Sequence, residues 1–232
     1  MHATLLLAML IGQTSAPPRE APLPVIEQRE RTFINSPSGE PLPRNTLTLR
    51  NVHASPLVGW RVAWSDFGRA SQASSFSSSD RVLSPSLQVQ SGGTATMVRI
   101  KPCEYEVQVV AAVYLDGSAG GDNSAIGALL SDRSDRASQL LTVLSVLKTT
   151  RLANSGVASR AEVEELLGRI EGPGLSLAKG TVLEILSQSP QSEHLFAKPG
   201  SGERVSKATL ITAIEAGVKT ILSANQKTGR QQ

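Results

Sequence analysis

The chain opens on an unbroken apolar run, Leu5 to Ile11, followed by small and polar residues up to Ala16. That order is the pattern of a secretory signal over residues 1–16, with cleavage expected after Ala16. The run is too short to anchor in a bilayer, and Pro17 and Pro18 would stop any helix growing out of it. No cysteine sits beside the cleavage expected after Ala16, so a lipid anchor on a new N-terminal cysteine is not expected. Residues 17–24 hold Pro17, Pro18, Pro22 and Pro24 and read as an extended spacer, because each proline fixes its own backbone and turns its predecessor away from helix.

From Val25 onward the apolar positions alternate. Leu47 and Leu49 fall on one face of a strand, and Trp60, Val62 and Trp64 share a face of the next, with Arg61 opposite. Two further runs follow, Thr94 to Ile100 and Tyr105 to Tyr114. In the second, Tyr105, Val107, Val109, Ala111 and Val113 are expected on one side. Turn residues separate the runs at Asn35–Gly39, Ala54–Pro56, Asp66–Gly68, Ser91–Gly93 and Asp116–Gly117. Six or seven short strands at this spacing predict an antiparallel β-sandwich over residues 25–118. The charged run Val25 to Ile34 belongs at an edge, where charge discourages pairing between chains. The serine-rich stretch Ala70 to Asp80 fits either a polar edge strand or a loop.

Beyond Gly120 and Gly121 the period lengthens. Ile126, Leu129, Leu130, Ala137, Leu140, Leu141, Leu144 and Leu147 form one stripe of a helix expected over residues 124–152. Ser159 and Glu162 have capping-box spacing and open a second helix that runs to about Glu171, where Gly172-Pro173-Gly174 ends it. A third helical run covers residues 175–188. A last helix uses Leu210, Ile214, Val218, Ile221 and Leu222. The helical region is thus residues 122–226, with a polar tail over 227–232. The fold class is α+β: an antiparallel immunoglobulin-like β-sandwich followed by a small amphipathic helical region.

Composition narrows the function without naming it. An apolar fraction of 40% suffices for a packed core, so disorder along the full length is excluded. A net charge of +3 over 232 residues is too dilute to indicate nucleic acid. Cys103 is the single cysteine, which excludes an internal disulfide and a cysteine-rich zinc site; it is read as a small buried apolar residue rather than a reactive thiol.

The segments Leu49 to Trp60 and Val113 to Ser118 carry a resemblance. The first runs from a strand ending in Asn through a Ser-Pro turn to a Gly-Trp that opens the next strand, and the second is a closing strand with an Asp-Gly turn. In these features the β-portion resembles the immunoglobulin-like or fibronectin type III-like sandwich modules of exported bacterial proteins, over roughly 90 residues. It lacks the cysteine pair of true immunoglobulin domains. The resemblance implies architecture and no functional residue, because such modules share a scaffold and not a site.

Reactive constellations are sparse. Ser145 with Lys148, and Ser176 with Lys179, match the Ser-x-x-Lys pattern of penicillin-recognising enzymes; Lys227-Thr228-Gly229 and Ser223-Ala224-Asn225 resemble two further elements. Their order and closeness are wrong for that chemistry, and short motifs of this kind arise by chance. Once the signal is removed, only His53 and His194 remain for a Ser-His-acid triad or a metal site, and each is expected to be a solvent-exposed polar residue. Glu162, Glu164, Glu165 and Glu171 read as a solvated helix face. Trp60 and Trp64 would make a sugar-stacking platform if exposed, but a tryptophan on the third strand of a sandwich packs between the sheets.

No catalytic, cofactor-binding or metal-binding residue is therefore assigned, and no cofactor is expected. The function expected is that of a non-catalytic exported protein, periplasmic or secreted, with a structural or interaction role. Its expected partner is another envelope or extracellular protein, met through exposed sheet edges or an unburied helical stripe. The alternatives are a hydrolase whose site is assembled from distant residues and a carbohydrate-binding module.

Overall fold

A computed structural model describes residues 20–66, 75–100, 105–149, 157–169, 180–182 and 204–230. The signal segment, Cys103, Ser176, Lys179 and His194 lie outside the described residues, as does most of the helical run expected over 175–188, of which residues 180–182 are helical.

Strands β1 (Val25–Asn35), β2 (Pro41–Arg50) and β5 (Thr94–Ile100) form a three-stranded sheet in the order β1-β2-β5. Strands β3 (Leu57–Asp66), β4 (Ser75–Asp80), β6 (Tyr105–Tyr114) and β7 (Ala119–Gly121) form a four-stranded sheet in the order β4-β3-β6-β7. Every neighbouring pair is antiparallel. The charged run at Val25 becomes the edge strand β1, and the end of the serine-rich stretch becomes the edge strand β4.

The alternating positions meet between the sheets. Leu47 and Leu49 pack with Trp60, Val62, Trp64, Val107 and Val109, all buried. Each Val or Leu so buried contributes about 1.5–3 kcal/mol relative to exposure.

Strand β6 departs from the expected single face. Its pairing with β3 sets Val62 opposite Val109 and Arg61 opposite Ala111, so Val110 is an extra residue. An inserted residue inverts every side chain beyond it. Val107 and Val109 point into the sandwich, but past the bulge Ala112 and Tyr114 do so, while Ala111 and Val113 turn outward. The Val110 carbonyl, displaced from the ladder, accepts the Asp122 N–H at 2.8 Å.

That outward face is covered by helix α1 (Asn123–Thr149): Ala125, Ile126 and Leu129 pack on Val58, Ala111 and Val113. The second half of α1 buries Ala137, Leu140, Val143, Leu144 and Leu147 against helices α2 (Arg160–Arg169) and α3 (Lys207–Gly229). Two strands of three residues each, β8 (Val157–Ser159) and β9 (Arg204–Ser206), pair ahead of α2 and α3. The Ser206 hydroxyl caps α3 by accepting the Thr209 N–H at 3.0 Å. The molecule is thus layered as sheet, sheet and helices. Leu141, expected in the buried stripe of α1, is half-exposed, and Val143 and Arg133 are buried in that helix instead.

Both ends of the chain also differ from expectation. Residues 227–229 finish α3 rather than belonging to a polar tail, because this last turn docks on the β6–β7 turn. Gly117 there has φ +95°, and a Cβ on it would lie 2.9 Å from Lys227 Cβ. Residues 20–24, expected as spacer, lie on the sandwich: the Ala21 N–H donates to Ala119 O at 3.0 Å, and Ala21 is buried.

Candidate functional site

The loops joining β2 to β3 and β6 to β7 meet at one pole of the sandwich, and that pole gathers His53, Ser55, Tyr114, Asp116 and Ser118. Asn51 pins it. Its side chain is fully buried, and its amide donates to Ser55 O at 3.0 Å and Val89 O at 2.9 Å while its oxygen accepts the His53 N–H at 2.9 Å. All the main polar capacity of the side chain is used, and removing it would take a donor from the half-buried Ser55 O and leave Val89 O with the Leu57 N–H alone.

His53 is not the solvent-exposed residue expected. It is half-buried, with its ring 4.3 Å from the Tyr114 ring at 33°, and Nδ1 accepts the Ser55 N–H at 3.1 Å. Ser55 Oγ in turn accepts the Asp116 N–H at 3.1 Å. Asp116 accepts both the backbone N–H and the hydroxyl of Ser118, at 3.0 and 2.7 Å. Partial burial by itself would raise the Asp116 carboxyl, but the two Ser118 bonds and the field of His53 hold it below its ordinary value. Burial, helped by Asp116, pushes the Tyr114 phenol well up, so it remains a donor, and its hydroxyl is bonded to Pro22 O.

This grouping has the residue types of a hydrolytic triad but not its connections. A general-base histidine needs a free lone pair on Nε2 and a proton on Nδ1. Here Nδ1 spends its lone pair on a backbone N–H, which places the proton of neutral His53 on Nε2. The serine hydroxyl faces the Asp116 backbone rather than the imidazole. These bonds tie two loops together.

The other sequence motifs are also placed. Ser145 and Lys148 lie on the exposed side of α1, where Lys148 Nζ bonds Glu215 at 2.8 Å. Lys227, Thr228 and Gly229 form a helix end, not a strand, and Asn225 donates to Leu130 O at 3.1 Å and Ser134 Oγ at 3.0 Å. Glu165 pairs with Arg169 on the exposed face of α2. Trp60 and Trp64 are buried: Nε1 of the first donates to Met97 Sδ at 2.9 Å and that of the second to Ser77 Oγ at 3.1 Å. Neither indole is available as a sugar platform. Among the described residues, no three His, Cys, Asp or Glu side chains come together as a metal-ligand group. No described helix is long and apolar enough to cross a membrane.

What distinguishes the surface is the contrast among the sheet edges. Strand β1 exposes Glu27, Glu30 and Arg31, turns Arg29 inward onto Val107 O at 2.8 Å, and pairs Glu27 with Arg50. Strand β7 is three residues long and flanked by Ala21. Strand β4 is serine-rich, and its exposed Phe76 lies 4.6 Å beneath the Arg61 guanidinium. Short strands, edge charges and inward-pointing charges all oppose pairing with another chain.

Of these devices strand β5 carries a single inward-pointing charge: it is neither short nor guarded by outward charges. Its one charged residue, Arg99, faces inward, bonding Ser75 Oγ at 2.8 Å and lying 5.1 Å over the Trp64 ring. Its outward residues are Thr94, Thr96, Val98 and Ile100, with Val98 and Ile100 49% and 51% exposed. Among the described residues, no strand pairs along its second edge. Comparison with protein-family models finds no match, and comparison with curated proteins finds none.

Proposed function

We propose that this is an exported, non-catalytic protein, periplasmic or secreted, that works by contact, and that the open edge of β5 is its docking surface for an extended strand of an envelope or extracellular protein. The single observation behind this reading is the contrast just described: the other edges are blunted by shortness or outward charge, whereas β5, guarded only by its inward Arg99, has an edge that no strand among the described residues pairs with, beside half-exposed β-branched side chains. In such strand addition the main chain supplies hydrogen bonds and alternate side chains supply selectivity.

Two features support the rest of the reading. The order β1-β2-β5 beside β4-β3-β6-β7, with Trp60 facing inward on the third strand, favours an immunoglobulin-like or fibronectin type III-like scaffold. The apolar run Leu5 to Ile11 with small residues up to Ala16 favours export.

The test uses a photo-crosslinking side chain in the cells that make the protein. Placed at Thr96 on β5 it is expected to trap a protein, and placed at Thr32 on β1 it is not. Equal trapping at both positions, or none at Thr96, overturns the reading.

A further inference from the structure

Strand β5 is compatible with its own sequence. If two copies run antiparallel with Met97 opposite Met97, then Thr96 faces Val98 and Thr94 faces Ile100 on the outer side, while Ala95 faces Arg99 on the inner side. Thr and β-branched aliphatic residues are favourable cross-strand partners. The one charge in the strand meets an alanine. It is also already turned inward onto Ser75 and Trp64, so no like charges oppose each other.

The next row is equally tolerant. Arg44 sits opposite Ile100 and Arg50 opposite Thr94 on β2. In the paired arrangement Arg44 of one copy and Arg50 of the other stand three strand spacings apart, about 14 Å. That exceeds the roughly 8 Å screening length of physiological salt, and Arg50 is further neutralised by Glu27.

We propose that the strand received at β5 is β5 of a second copy of this chain, paired antiparallel about Met97 so that the two three-stranded sheets become one continuous sheet. The proposal rests on β5 being the docking edge and adds the identity of what docks there. A single strand-to-strand contact is a small interface, at or below the roughly 1,200 Å² that begins the range of stable complexes, so the dimer is weak and concentration-dependent.

Sedimentation of the mature chain tests this, with thermal melting and Trp fluorescence confirming that each variant is folded. The wild type is expected to shift from monomer to dimer as concentration rises to about 1 mM. The double variant Thr96→Lys, Val98→Lys places Lys against Lys twice across the two-fold and is expected to weaken the dimer about tenfold or more. The variant Thr96→Glu, Val98→Lys places Glu against Lys and is expected to restore it.

A chain that stays monomeric to about 1 mM, or a dimer that the Lys pair leaves unchanged, overturns the proposal. If the chain is monomeric while the crosslinker at Thr96 traps a different protein, self-pairing is refuted and the docking edge stands. If nothing is trapped either, both fall.

Discussion

The two faces of the four-stranded sheet are built in different ways. The inner face is filled by volume: Trp60, Val62, Trp64, Val107, Val109 and Tyr114 interlock with Leu47 and Leu49 of the other sheet. The outer face is kept shallow by Val58, Gly59, Ala111 and Val113, so that α1 can lie close to it. In place of large apolar anchors it holds one buried ion pair. Arg133 of α1, 1% exposed, clasps the 8%-exposed Asp80 at the end of β4, Nε to Oδ2 at 3.0 Å and Nη2 to Oδ1 at 2.9 Å. The guanidinium lies over Gly59, where a Cβ would come within 3.0 Å of Nη2. A jigsaw of large side chains specifies the sheet-on-sheet contact through shape. A helix on small residues could slide, and a bidentate pair at one point fixes its position.

The largest effect expected from breaking this contrast is at that pair. Asp80→Ala leaves Arg133 buried and uncompensated, and chemical denaturation is expected to show a loss of about 3–5 kcal/mol. Replacing both partners, Asp80→Leu with Arg133→Met, is expected to recover part of that loss, because the fully buried charge is then gone and only Arg136, 3.9 Å from Asp80 and 18% exposed, loses its partner. If the single variant is as stable as the wild type, the pair does not hold the helix.

A smaller effect is expected from filling the shallow face. Ala111→Leu pushes against α1 and is expected to cost about 1–3 kcal/mol. Thr96→Leu, on the open outer side of β5, is expected to change stability by less than about 0.5 kcal/mol. Equal costs at the two positions would mean that α1 does not press on Ala111.

On the two faces of the four-stranded sheet, the smallest effect belongs to the rim of the inner one. Tyr114→Phe removes the hydroxyl bonded to Pro22 O, a loss of about 1 kcal/mol at neutral pH. Because burial and Asp116 raise the folded phenol above its ordinary value of 10.0, the neutral form is favoured in the native state. That contribution is complete below pH 10 and is lost as pH rises beyond it, so the wild type is expected to lose stability above pH 10 more steeply than Tyr114→Phe. Parallel curves for the two proteins would refute the assignment.

Legibility in the sequence followed the range of the interaction. Strands β2, β3 and β5 and the course of α1 could be read because each repeats a short period over many residues. The bulge at Val110 could not, since Val109 to Val113 is apolar at every position and a shift of phase leaves no mark in such a run. That unbroken run was the available signal of a strand buried on both faces. His53 looked like a turn residue because Tyr114, whose ring it packs against, and Asp116, whose carboxylate feels its field, lie about sixty positions further along the chain. Lys227 looked like part of a tail because its neighbour in the fold, Gly117, is more remote still. For the candidate site, the sequence pointed to sheet edges in general, and Glu27 to Arg31 already marked one of them as guarded.

By itself, then, the sequence determined the pieces: where alternation makes strands, where the period lengthens into helices, and which edge is defended by charge. The tertiary structure alone decided that β5 lies at the end of its sheet, that α1 closes the outer face of the other sheet, and that Asp80 meets Arg133. The reason is physical. Local periodicity records which side of an element seeks burial, whereas the choice among equally apolar partners depends on shape and on pairs far apart in the chain, which no local pattern encodes.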